Sequence, residues 1–282
     1  MRHETQTNAR LCRVVLSRAG HRADRHVVDS LFVGSYTSPM KYAKCIDTGE
    51  RIEALKNTDA ICEICTEKLI AKCGEIMVHH WSHASSSDCD SWYEPETVWH
   101  REMKNYFPKQ NQEITMQNHR ADVKTDTGVV VEFQNSSIST EEIKEREAFY
   151  GRMVWLINGD EFKNNFCYVN LSQAKIERSF CVDYQWQHFR KSWLASNRPI
   201  FIDNLLNGFY YNEELFQDDS IAYIKPTIRP MQNGWLCFIK KRTFIDFVNG
   251  NLSVDFLNST SNYLTLPDIK KLDAVNWGEY GN

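Results

Sequence analysis

An α+β fold is the class this sequence predicts, and three observations predict it. Residues 119–134 read as a β-hairpin, alternating with period two on both sides of a glycine turn. Residues 140–158 read as a capped helix followed by the apolar run RMVWLIN, the pattern of a buried strand. Residues 62–83 carry a Cys-x-x-Cys pair followed by two close histidines, the spacing of a small metal-stabilised ribbon. Helix, antiparallel strands, helix, strand is a layered arrangement in which both helices pack on one sheet.

Bulk properties set the frame. The chain of 282 residues is long enough for one large or two small domains with their own cores. Its composition, 42% hydrophobic and 25% charged, is globular. A net charge of −4 excludes the overall basic balance of a non-specific nucleic-acid binder, so any such contact has to come from a local patch. No apolar run approaches the about 18 residues of a membrane span, and the first residues lack an apolar signal segment. These features predict a cytoplasmic protein without membrane contact. Nine cysteines, an odd number with one close pair, suit thiols and metal better than a disulfide framework.

Residues 1–57 read as a polar tail, rich in Arg and His to about residue 26, and a small β module. Strands are expected at 27–36, 42–46 and 51–55, with Asp47-Thr48-Gly49 as a hairpin turn. Residues 58–92 form the zinc-ribbon-like segment. Cys62, Cys65, His80 and His83 are its candidate ligands for structural Zn²⁺, with His79, Cys73 and Cys89 as rivals. The competing reading is a pair of buried thiols packed as small hydrophobes. Four protein ligands leave no open position for chemistry, and a short ribbon needs its metal to fold.

A helix is expected over 94–106, on which Glu96, His100 and Lys104 repeat every four residues. That stripe either faces solvent or meets the hairpin. In the hairpin, Asp126-Thr127-Gly128 suits a three-residue loop with glycine in the left-handed region. It pairs Thr125 with Val129, hence Asp122 with Glu132 and Arg120 with Gln134, and puts all four side chains on one face. Adjacent carboxylates repel across a strand pair. Either Arg120 neutralises them on a solvated face, or a hard cation such as Mg²⁺ binds them. Ser139 and Glu142 cap a helix over 140–150, and 152–158 follows as a central strand. Residues 181–282 read as a further α+β region. There 192–206 closes the core, 221–224 and 235–239 are strands, Asn233-Gly234 is a turn and 243–248 a short helix. Trp186, His188, Arg190, Lys191 and Trp193 interleave bases with aromatics, as a single-strand stacking surface or as a packed cluster.

The motifs HHWSH, ETVWHREMK, RADV, VVVEFQNSSIS, EEIKEREAFY and MVWLING, in this order over residues 58–160, resemble the competence protein CoiA-like family. The resemblance implies a zinc-ribbon-like N-terminal part and a restriction-endonuclease-like nuclease core of the PD-(D/E)xK type, a mixed sheet flanked by helices, at 93–180. Asp122 would be the acid of the first core strand and Glu132 that of the second, with Glu96 and His100 from the first core helix. Gln134 stands where the superfamily usually has lysine. The expected activity is divalent-metal-dependent hydrolysis of DNA phosphodiesters, single-stranded DNA included. Asp122 and Glu132 would hold Mg²⁺ or Mn²⁺ with Glu96 as a further ligand. Gln134 would orient water, His100 a carboxylate or a proton, and Lys104 and Arg120 would touch flanking phosphates. The alternatives are a non-catalytic DNA-binding accessory factor in DNA uptake or recombination, and a zinc-stabilised protein-interaction adaptor.

Overall fold

The computed structural model describes residues 39–75, 78–84, 89–92, 94, 96–169, 179–205, 210–211, 214–215, 220–224 and 233–251. The predicted tail at 1–26 and strand at 27–36 lie outside these residues.

The first sheet grows from short strands of two to five residues. β1 (Tyr42–Cys45), β2 (Arg51–Glu53), β3 (Ala60–Ile61), β4 (Lys68–Lys72) and β5 (His80–His83) form five strands in the order β2-β1-β3-β4-β5. Gly49, at φ +73, makes the turn that returns β2 along β1. Trp81 fills the centre of the small core, with Met40, Ala43, Leu69 and Cys62 around it. β1 pairs with β3, so this sheet runs across the boundary expected at residue 57. A few apolar residues cannot close two separate cores here.

The second sheet contains the hairpin. Thr97 caps α1 (Val98–Lys104) by accepting from the His100 N–H, so the helix starts after Glu96 rather than at 94. β6 (Gln112–Met116), β7 (His119–Lys124) and β8 (Val130–Gln134) follow, then α2 (Thr140–Tyr150) and β9 (Met153–Asn158). Ser139 caps α2 by accepting from the Glu142 N–H at 3.0 Å. Further on lie β10 (Phe166–Val169), β11 (Ser179–Trp186) and β12 (Ile200–Asp203). β13 (Tyr210–Tyr211) and β14 (Glu214–Leu215) pair only with each other. β15 (Ser220–Ile224), β16 (Asn233–Lys240) and α3 (Lys241–Val248) complete the described fold. Nine strands are ordered β10-β11-β16-β15-β12-β9-β8-β7-β6.

The predicted mixed α+β arrangement is present. β9 runs parallel to both β8 and β12, and α2 makes the crossover from β8 to β9. Its alternate residues feed two cores. Met153, Trp155 and Ile157 join Ile143 and Tyr150 of α2 on one face, while Val154 and Leu156 join Trp99 and Met103 of α1 and Phe244 of α3 on the other. The sheet passes from the expected core at 93–180 into the region 181–282, where β12 within 192–206 closes the core against β9 as expected. One local expectation changes. Asn233 and Gly234 are not a turn but the first residues of β16, paired with Gln185 and Tyr184. β6 and β11 are strands that were not among those expected, although the sequence of β11, SFCVDYQW, does alternate with period two. Of the two readings of Trp186 and Trp193 the packed cluster holds, since they are 0% and 1% exposed.

Candidate metal centre and carboxylate site

A knuckle shapes the metal centre. The Thr66 N–H donates to the Cys62 carbonyl at 3.0 Å and the Cys62 N–H to the Glu67 carbonyl at 2.9 Å, turning the chain tightly enough to bring Cys65 back beside Cys62. Thr66 takes φ +63 to do so, a conformation that suits glycine better than a β-branched residue. Cys62, Cys65, His83 and Cys89 bring their donor atoms within 4.8 Å of one another. Cys62 Sγ is 3.6 Å from Cys89 Sγ, and Cys65 Sγ is 3.2 Å from His83 Nε2. Donors around a tetrahedral zinc, with bonds of about 2.0–2.3 Å, stand about 3.5–3.8 Å apart. Three thiolates and one imidazole are therefore a fitting shell for zinc.

His80 does not belong to it. His80 and His83 are three residues apart on β5, so the pleat sends them to opposite faces. His83 turns into the cluster, whereas His80 Nδ1 lies 2.9 Å from the Val78 carbonyl. Cys89 takes the fourth place, and the other rivals, His79 and Cys73, are outside the cluster.

The hairpin has the register its turn predicts. Gly128 sits at φ +83, Val123 faces Val131 and Lys124 faces Val130, a register that carries on to Asp122 opposite Glu132. Past Val123 the two strands part, and the carboxylates take the places of ladder bonds. The Asp122 N–H donates to Glu132 Oε1 at 3.2 Å, and the Phe133 N–H donates to Asp122 Oδ2 at 2.9 Å. Both acids line one polar cavity of about 70 Å³.

Helix α1 delivers a cation to this cavity. Lys104 Nζ lies 3.1 Å from Asp122 Oδ1, 3.1 Å from Glu96 Oε1 and 3.2 Å from Glu113 Oε1. At 5% exposure Lys104 is a buried counter-ion to these three acids at the cavity wall. Burial alone would lower its pKa, but Glu113, Asp122 and Glu96 outweigh burial and hold the ammonium charged. From the other side, Arg146 of α2 donates to Glu132 Oε2 at 2.9 Å. Burial, then the Asp122 charge, pushes the Glu132 carboxyl up to about 8 against the pull of Arg146. Asp90, Glu94, Glu96, Glu113, Asp122 and Glu132 face the cavity against Lys104, Arg120 and Arg146, an excess of acids over fixed cations.

Two expected participants are engaged elsewhere. His100 Nε2 donates to the Phe133 carbonyl at 3.1 Å while its Nδ1 accepts from the Thr97 N–H at 3.2 Å. One ring nitrogen thus caps α1 and the other ties it to β8, with the ring still lining the cavity. Gln134 Nε2 donates to Glu94 Oε2 at 3.0 Å, and Gln134 is not among the cavity's lining residues. It holds the Glu94 carboxylate, which does line the cavity. Glu96 does reach the cavity, with its second oxygen 2.7 Å from Arg101 Nε. Arg120 lines the cavity as well.

Residues 46–91 match the family model described as competence protein CoiA, N-terminal domain. Over this segment the chain is CoiA-like. No curated protein matches the chain, and no solved structure does. The CoiA-like segment holds all four donors of the metal cluster.

Beyond the CoiA-like segment, nothing in the sequence pointed to Glu113 or Arg146. Glu113 stands on β6 at φ +50, with Lys104 on one oxygen and the Lys41 N–H 3.0 Å from the other. A non-glycine residue held in that region by its contacts is a marker of a functional site. Arg146 was hidden in a helix whose Glu142–Arg146 spacing reads as an ordinary surface pair.

Proposed function

We propose that the protein is a divalent-metal-dependent phosphodiester hydrolase acting on DNA. The observation that carries this reading is the crossed pair Asp122 and Glu132 in a polar cavity where acids outnumber fixed cations. Hard oxygen donors with surplus negative charge suit Mg²⁺ or Mn²⁺, and Asp122, Glu132 and Glu96 are the residues to hold it. When bound, the ion would activate water and offset charge on the scissile phosphate. Lys104 carries, from α1, the positive charge that Gln134 lacks, and its place 3.1 Å from Asp122 suits an ammonium that meets a phosphate oxygen. Arg120 offers a guanidinium to the same anion, and Glu113 keeps Lys104 charged and aimed.

A second reading is a DNA-binding accessory factor without turnover. One observation favours it: Lys104 and Arg146 already engage the two carboxylates, so the pair stands without an added ion. Purified protein with Mn²⁺ should degrade single- or double-stranded DNA. Asp122→Asn and Glu132→Gln should each slow that by at least about a hundredfold, the scale of a lost charge-stabilising group. Degradation at the same rate in both variants would remove the hydrolytic assignment. DNA binding with no Mn²⁺ uptake would favour the accessory factor.

A further inference from the structure

One short segment separates the thiol cluster from the carboxylate cavity. His83 and Cys89, two of the four metal donors, line the same cavity as Asp122 and Glu132. From Cys89 the chain continues through Asp90 and Ser91 to Trp92, and it braces both acids. Asp90 Oδ2 accepts from the Arg120 N–H at 2.9 Å, and Oδ1 accepts from His119 Nδ1 at 2.9 Å and from the Trp92 N–H at 3.0 Å. The Trp92 ring lies flat on His119, with centroids 3.3 Å apart. The Trp92 carbonyl accepts from Arg146 Nη2 at 2.6 Å, and Arg146 Nη1 in turn holds Glu132. Asp90 thus fixes the strand two residues before Asp122, while Trp92 fixes the arginine on Glu132.

We propose that the metal centre anchors the carboxylate site through the strap 89–92, with Asp90 as its positioning residue. With Cys89 coordinated, the strap holds β7 and Arg146 so that Asp122 and Glu132 keep their crossed bonds. Without coordination, the strap and the acid pair loosen together. Arg120, whose N–H is held by Asp90, also lines the cavity, and its Nε and Nη2 are buried without a hydrogen-bond partner among the described residues. The inference goes beyond the hydrolytic reading and does not depend on it.

Amide hydrogen exchange of the full chain tests it. The reporters are the Asp122 and Phe133 N–H groups, which donate to the two carboxylates. Zinc-loaded protein, protein stripped with a chelator, and zinc-loaded Asp90→Ala are compared. Stripping and Asp90→Ala should each speed exchange at Asp122 and Phe133 at least about tenfold while Val154 and Leu156 stay protected, the signature of a local opening. Asp90→Asn, which keeps an acceptor for Trp92 and His119, should recover part of the protection. Unchanged protection at Asp122 and Phe133 in an Asp90→Ala protein that retains its zinc overturns the proposal. If stripping or Asp90→Ala unfolds the whole chain, Asp90→Asn decides, and wild-type protection there overturns it equally.

Discussion

Glu132 is held between opposing influences, and that makes its charge depend on pH. Its folded pKa, about 8, lies above the ordinary 4.5 because burial and Asp122 outweigh Arg146. The fold therefore binds a proton that the unfolded chain has released. Stability from this group is full below about pH 4.5 and is lost as pH rises through about 8, at no more than about 1.4 kcal/mol per pH unit. Urea midpoints of zinc-loaded protein without Mg²⁺ or Mn²⁺ between pH 5 and 9 should fall, and Glu132→Gln should flatten that fall; parallel profiles would show that Glu132 is not the titrating group. The metal donors give a second residue-level case. Parity along β5 excludes His80, so His80→Ala should keep wild-type zinc affinity in a chelator competition. Cys89→Ala should lose more than the about 10–100-fold typical of a supporting partner. The opposite ranking would restore the ligand set expected from Cys-x-x-Cys and His-x-x-His.

At the scale of elements, the hairpin fixes where the acids meet. A Cβ added at Gly128 would meet nothing within 4 Å, but the residue sits at φ +83, so Gly128→Ala is opposed by backbone strain alone. It should cost about 1 kcal/mol in urea unfolding. No change would mean that the turn tolerates another geometry, and the register would then rest on the strands. This hairpin was legible in the sequence because a three-residue loop and period-two alternation act between near neighbours. The cap Ser139 and, with a shifted start, helix α1 belong to the same local class. β6 was not legible, because Gln112 and Glu113 are polar residues buried by partners from elsewhere. Gln112 donates to the Lys104 and Phe107 carbonyls at 2.9 and 2.8 Å, and no periodicity announces that.

Across the whole molecule, one sheet joins the expected core at 93–180 to the region at 181–282. β12 lies parallel to β9, and Trp193 packs edge-on against Trp155 at 5.3 Å. Ending the chain at residue 180 would leave β9 at the sheet edge, with side chains now 0–1% exposed turned toward water. Such a chain should show no cooperative unfolding transition in urea. A sharp transition would establish an independent core at 93–180. Among the described residues no helix is long and apolar enough to cross a membrane. The sequence alone determined the hairpin register, the helix α2 and its cap, the central strand β9 and the Cys62–Cys65 knuckle, because each is set by steric and hydrogen-bond rules acting within a few residues. Only the tertiary structure decided that Cys89 completes the metal cluster, that Lys104 and Glu113 enter the carboxylate cavity, and that Gln134 turns to Glu94 outside it. Those outcomes depend on which buried charges and donors are brought within about 3 Å of each other when distant elements pack, and buried polar groups take whatever partner the packing supplies.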